Sequence, residues 1–170
     1  MTSAHQIFRA ATAIQEEMVS VLGAPSEGVI APPNAVIPAS LFRNTRGYLI
    51  KVSNQANGAY SNGWYDACAV MLRRLLETLI IEAFENNGIA NKIQNATGDF
   101  LYLRDMIDQT INEPTWNLSR NAKSAMPKLK DVGDKSAHSR RFNALRSDID
   151  KVAPDLRLVS EELLSIAGLR

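Results

Sequence analysis

Towards its C-terminus the chain repeats apolar residues in alternating steps of four and three: Leu145, Ile149, Val152, Leu156, Val159, Leu163 and Ile166. Side chains so spaced stack on one face of an α-helix, whereas a strand, with its period of two, would scatter them over both faces. A stripe this long requires other helices to cover it. Pro154 interrupts it, which predicts either a kink or two abutting helices, the second starting near Ala153 and closing at Gly168.

The covering helices can be read upstream. Ile7, Ala11, Ile14, Met18 and Val21 mark a first helix, with Ser3 and Gln6 at capping-box spacing. Ala24 to Pro38 contains four prolines and predicts a strap. A second helix is expected from Ser40 to Tyr60, with Leu41, Tyr48, Val52 and Ala56 or Ala59 inward. Trp64 to Glu85 is apolar over more than half its circumference, as a central helix with neighbours on several sides would be. A fourth helix is expected from about Asp99 to Ile111, with Leu103, Met106, Ile107 and Thr110 inward. Glu113 to Ser124 reads as a polar loop whose Trp116 either plugs a gap in the core or stacks on a base, and Pro127 suits the first turn of a fifth helix. No stretch alternates as a strand does. The fold class is therefore an all-α helical bundle, with residues 1–38 as helix and strap and 39–170 as the helical domain.

Composition narrows the function classes. The greasiest stretch, Leu75 to Phe84, contains Glu77 and Glu82 and is followed by Glu85, so no run approaches the roughly 18 apolar residues of a membrane span. The N-terminus lacks a basic segment followed by an apolar one, and the expected location is cytoplasmic. One cysteine, Cys68, and two histidines, His5 and His138, hardly supply a zinc site, so no metal and no cofactor are expected. Neither a phosphate-binding glycine loop nor a nucleophile elbow occurs.

The net charge of +1 conceals an uneven distribution. Residues 120–146 hold eight basic side chains against Asp131 and Asp134. The eight are Arg120, Lys123, Lys128, Lys130, Lys135, Arg140, Arg141 and Arg146, and they surround His138. Such a cluster either attracts phosphates or is neutralised by the acidic segments on either side. As candidate nucleic-acid contacts it offers Lys128, Lys130, Lys135, Arg140, Arg141 and Arg146. On the central helix Asp66, Arg73 and Glu77 align at steps of seven and four. They are read as an i, i+4 ion pair of Arg73 with Glu77, or as a charged stripe facing a cleft that contains His138. Histidine suits proton transfer near neutral pH, and a neighbouring cation suits the charge that develops on phosphate when a ribose hydroxyl attacks it.

Two segments carry a resemblance. Trp64 to Glu77, with its Arg73-Arg74-Leu75-Leu76-Glu77 core, and Leu129 to His138, with Gly133-Asp134 before Ala137-His138, resemble an uncharacterised bacterial family grouped with the HEPN superfamily. Leu156 to Leu164 resembles its closing helix, and the likeness covers about residues 40 to 168. It implies a small antiparallel bundle, often a homodimer, of the kind found in ribonuclease toxins and in antiviral or mobile-element defence, and also as inactive RNA-binding modules. In active members an arginine, a polar residue and a following histidine form the site. By that likeness His138 is the histidine and Asp134 the polar residue, but Gly133 stands where the arginine belongs, so the charge would have to come from Lys130, Lys135 or Arg140. The expectation is an RNA-binding module or one that binds a nucleic-acid-associated partner. The alternatives are a metal-independent endoribonuclease using His138 with Lys130, Asp134 and Glu77, and a purely structural interaction domain.

Overall fold

Helical periodicity in the sequence becomes helix throughout the computed structural model, which describes residues 35–170. The expected first helix and most of the strap lie outside the described residues. The elements are α1 (Ala39–Phe42), α2 (Gly47–Ser61), α3 (Tyr65–Asn86), a 3-10 turn (Ala90–Ile93), α4 (Leu103–Asn112), α5 (Arg120–His138) and α6 (Arg146–Ile166). Among the described residues there is no strand, only one isolated bridge between Gln94 and Phe100. The protein is an all-α helical bundle. None of these helices is long and apolar enough to cross a membrane.

The direction of each helix follows from which ends meet. Tyr48, in the first turn of α2, donates to Glu82 near the end of α3, so these two run antiparallel. Ser119, capping the start of α5, donates its backbone N–H and hydroxyl to Glu162 near the end of α6, so this pair is also antiparallel. Asn86 and Asn87, where α3 ends, both donate to the carbonyl of Ile166, where α6 ends; α3 and α6 therefore run parallel. Helix α3 packs on α2, α5 and α6. Its Leu72, Leu75, Leu76, Leu79 and Ile80 are sealed from solvent, as the breadth of its apolar surface predicts. The end of the strap joins this core. Ile37 is buried, and both its backbone groups are held by the buried Asn57 side chain, at 2.9 Å and 2.8 Å.

Several boundaries differ from the sequence reading, each for a local reason. The expected helix from Ser40 to Tyr60 is broken into α1 and α2 by Asn44, at φ 68°, a left-handed conformation that asparagine tolerates. Tyr48 is not inward but 45% exposed, because its hydroxyl reaches across the surface to Glu82. Helix α4 begins at Leu103, not Asp99, since Asn95 captures the backbone N–H of Asp99 and Leu101 N–H bonds back to Ile93. Its inward residues are the four expected. Helix α5 starts at Arg120, seven residues before Pro127, because the Ser119 hydroxyl accepts from Ala122 N–H. Pro127 sits inside the helix on its exposed side, where water can reach the carbonyl it leaves unpaired. Pro154 likewise lies inside α6, which is one helix and not two. Leu145 falls outside the stripe, exposed at the N-cap, where its N–H donates to Asp148. Trp116 does plug the core: its ring packs edge-on against Phe84 and its N–H donates to Thr110.

Candidate functional site

A single glycine brings the charged residues of two helices together. Gly133 of α5 is buried against α3, and a β-carbon there would lie 2.4 Å from Arg73 Cβ and 3.0 Å from the Ala69 carbonyl oxygen. Only a residue without a β-carbon allows this approach. The position that the HEPN likeness assigns to an arginine thus faces the helix interface and has no room for any side chain.

The close approach sets the next residue, Asp134, beside Arg73. Arg73 Nε donates to Asp134 Oδ1 at 2.6 Å, and Lys130 Nζ donates to Asp134 Oδ2 at 2.5 Å. The other arm of Arg73 reaches Glu77 at 3.2 Å. Burial pushes the Asp134 carboxyl up, but its bonds to Lys130 and Arg73 outweigh that and hold it below the usual aspartate range. Around this group opens a cleft of about 440 Å³ between α5, α3 and the start of α4, lined by Arg73, Tyr102, Leu103, Arg104, Lys130, Asp134 and His138. His138 is exposed at the last position of α5. Tyr102, 84% exposed, is the N-cap of α4, and no side chain caps that helix. Arg104 is exposed beside it and pairs with Asp105 at 2.9 Å.

Of the expected site residues, His138, Lys130 and Asp134 share the cleft, and Glu77 is tied to it through Arg73. The i, i+4 pair of Arg73 with Glu77 forms, and of the stripe read as its alternative only Arg73 lines the cleft. Asp66, the third member of the stripe, accepts from Ala144 N–H instead. The expected phosphate contacts do not form one face. At about 100° per residue Lys128 and Lys130 stand about 200° apart on α5, and Lys128 turns towards Asp155 of α6 at 3.5 Å. Lys135 pairs with Asp131 at 2.7 Å. Arg146 leaves the group altogether: it lies over the Tyr60 ring, donates to the Tyr60 hydroxyl at 3.0 Å and lines a separate cavity with Asp150 and Arg157. Arg140 and Arg141, exposed in the loop after α5, meet no carboxylate among the described residues.

Two lining residues, Tyr102 and Arg104, escaped the sequence reading. The available signal was their position on either side of Leu103, which opens the inward pattern of α4 and so turns both neighbours out. Cys68 is no candidate nucleophile, since burial pushes its thiol up to about 12. No group of three His, Cys, Asp or Glu side chains among the described residues is placed to hold a metal ion. Compared with family models, curated proteins and solved structures, the chain finds no match.

Proposed function

We propose that this chain is an RNA-binding helical module and that its cleft receives the sugar-phosphate backbone. The observation that carries the reading is the gathering of Arg73, Arg104, Lys130 and His138 around a tyrosine left open to solvent. Guanidinium and ammonium groups donate to phosphate oxygens, and an exposed ring stacks on an unpaired base for about 1–3 kcal/mol. The uncapped start of α4 adds the positive end of its dipole through Leu103 and Arg104. Asp134 already engages Arg73 and Lys130, so a phosphate has to compete for them. That competition favours a strand, whose several phosphates bind together, over a lone anion. The HEPN likeness adds a homodimer and a defence or mobile-element setting to this proposal.

Titration of labelled single-stranded RNA over a salt series tests it. Replacing Arg104 and Lys130 together by alanine should weaken binding at least about tenfold and lower the slope of log affinity on log salt by roughly 0.7 for each phosphate no longer neutralised. Equal binding by both proteins at low salt would remove the cleft from the argument.

A second reading, a metal-independent endoribonuclease, is favoured by Arg73, which brings to the cleft the planar guanidinium that Gly133 cannot supply. In that reading His138 takes the proton of the ribose 2′-hydroxyl as its oxygen attacks phosphorus, the bond from phosphorus to the 5′-oxygen breaks to leave a 2′,3′-cyclic phosphate, and the departing 5′-oxygen takes a proton from water; Arg73 and Lys130 take the charge on phosphorus-bound oxygen, and Asp134 and Glu77 orient them. With chelator present, His138→Ala should abolish cleavage that the parent performs. Equal cleavage by both, or none by either, rejects it.

A further inference from the structure

Outside the cleft, two large apolar side chains stand open to solvent at the same end of the bundle. Trp64, the N-cap of α3, is 65% exposed, and Leu145, the N-cap of α6, is 62% exposed. The Asp66 carboxylate accepts from Ala144 N–H at 2.9 Å and so draws the two caps together. Neither side chain is needed by the core. The neighbouring Tyr65 makes the inward aromatic contact, edge-on to Tyr60, and α6 buries its stripe from Ile149 onward. An indole this exposed, at the same end of the bundle as an exposed leucine, marks a contact surface.

The loop that leads to this pair starts at the cleft. The six steps from His138 to Ala144 span at most about 20 Å, and they carry Arg140 and Arg141, exposed and without a carboxylate partner among the described residues. Planar forks without carboxylates suit the phosphates of a strand passing from cleft to indole. A second copy docking patch to patch would set these arginines against their own counterparts, which disfavours the chain itself as occupant.

We propose that Trp64 is a second stacking platform, on which a base of the RNA strand rests against Leu145 while its phosphates cross Arg140 and Arg141. The inference rests on the cleft being an RNA site and extends it to the end of the bundle. A strand reaching both platforms holds several nucleotides, within the span of about 4 to 16 typical of stacking sites.

The test is fluorescence of the full chain titrated with an unstructured RNA of about 8 nucleotides and with a dinucleotide. The longer RNA should quench the emission and the dinucleotide, filling the cleft alone, should not. Trp64→Ala should lose the quenching, leaving only the emission of Trp116, and bind the longer RNA about tenfold more weakly, whereas Trp64→Phe should keep most of the affinity. Because Trp64 lies outside the core, an unchanged melting curve is expected for both variants. If the Arg104 and Lys130 double variant loses binding while Trp64→Ala binds as the parent does and the parent shows no quenching, the cleft stands and the platform falls. Absence of RNA binding by the parent overturns both. A blue shift with anionic vesicles and no response to RNA overturns the platform in favour of a lipid surface.

Discussion

Gly133 shows what a single missing β-carbon does. It lets α5 approach α3 until Arg73 and Asp134 share a hydrogen bond, so the geometry of the cleft depends on it. Gly133→Ala puts a methyl group within 2.4 Å of Arg73 Cβ, an atom next to the backbone that cannot swing aside. The substitution should cost about 1–3 kcal/mol in urea denaturation, as overpacked sites do. It should also weaken RNA binding, because the helices must part. Equal stability of the two proteins would show that α5 and α3 leave room for a methyl group between them. The sequence does not show this role, because the residue's neighbour across the helix interface is sixty positions away.

At the scale of elements, capping decided the boundaries more than periodicity did. Pro127 has the features of a helix start, but the Ser119 hydroxyl on Ala122 N–H nucleates α5 earlier and the proline is carried on the exposed face. Pro127→Ala restores a donor for the carbonyl of Lys123 and removes the ring clash. It should raise stability by about 1–3 kcal/mol, a rise in melting temperature that calorimetry would detect. A lower melting temperature would mean that the proline shapes the helix. The buried faces of α3 and α4 were legible because apolar residues recur at helical spacing along each, around most of the circumference in α3 and on one side in α4. Tyr48 and Leu145 were not, because each sits in a first turn or cap where a polar bond outweighs the stripe.

The whole molecule responds to acid through contacts between elements. Both oxygens of the buried Glu113 accept from Lys92, at 3.0 Å and 2.8 Å, and Oε1 also takes the Thr115 backbone N–H and hydroxyl, tying the end of α4 to the 3-10 turn. The Lys92 ammonium first, and Thr115 with it, holds this carboxyl below the usual glutamate range. The folded protein therefore binds fewer protons here than the unfolded chain. This contribution is fully present above about pH 4.3, the ordinary glutamate value, and is lost as pH falls through the lower folded value. Glu113→Gln should reduce stability at neutral pH and flatten its decline below about pH 4. Parallel acid limbs for the two proteins would exclude Glu113 as a source of that decline.

Local sequence determined that this chain is helical, which faces of α3, α4 and α6 are buried and that its cations concentrate after residue 119, because periodicity and charge are properties of neighbours along the chain. Which of those cations share a cleft was decided by tertiary structure alone. Lys130 and Lys128 differ by two positions yet face α3 and α6 respectively, and Tyr102 and Arg104 join the site from another helix. The physical reason is that a helix wheel fixes angles around one axis, while the distance and orientation between axes depend on packing, here on the absence of a side chain at Gly133.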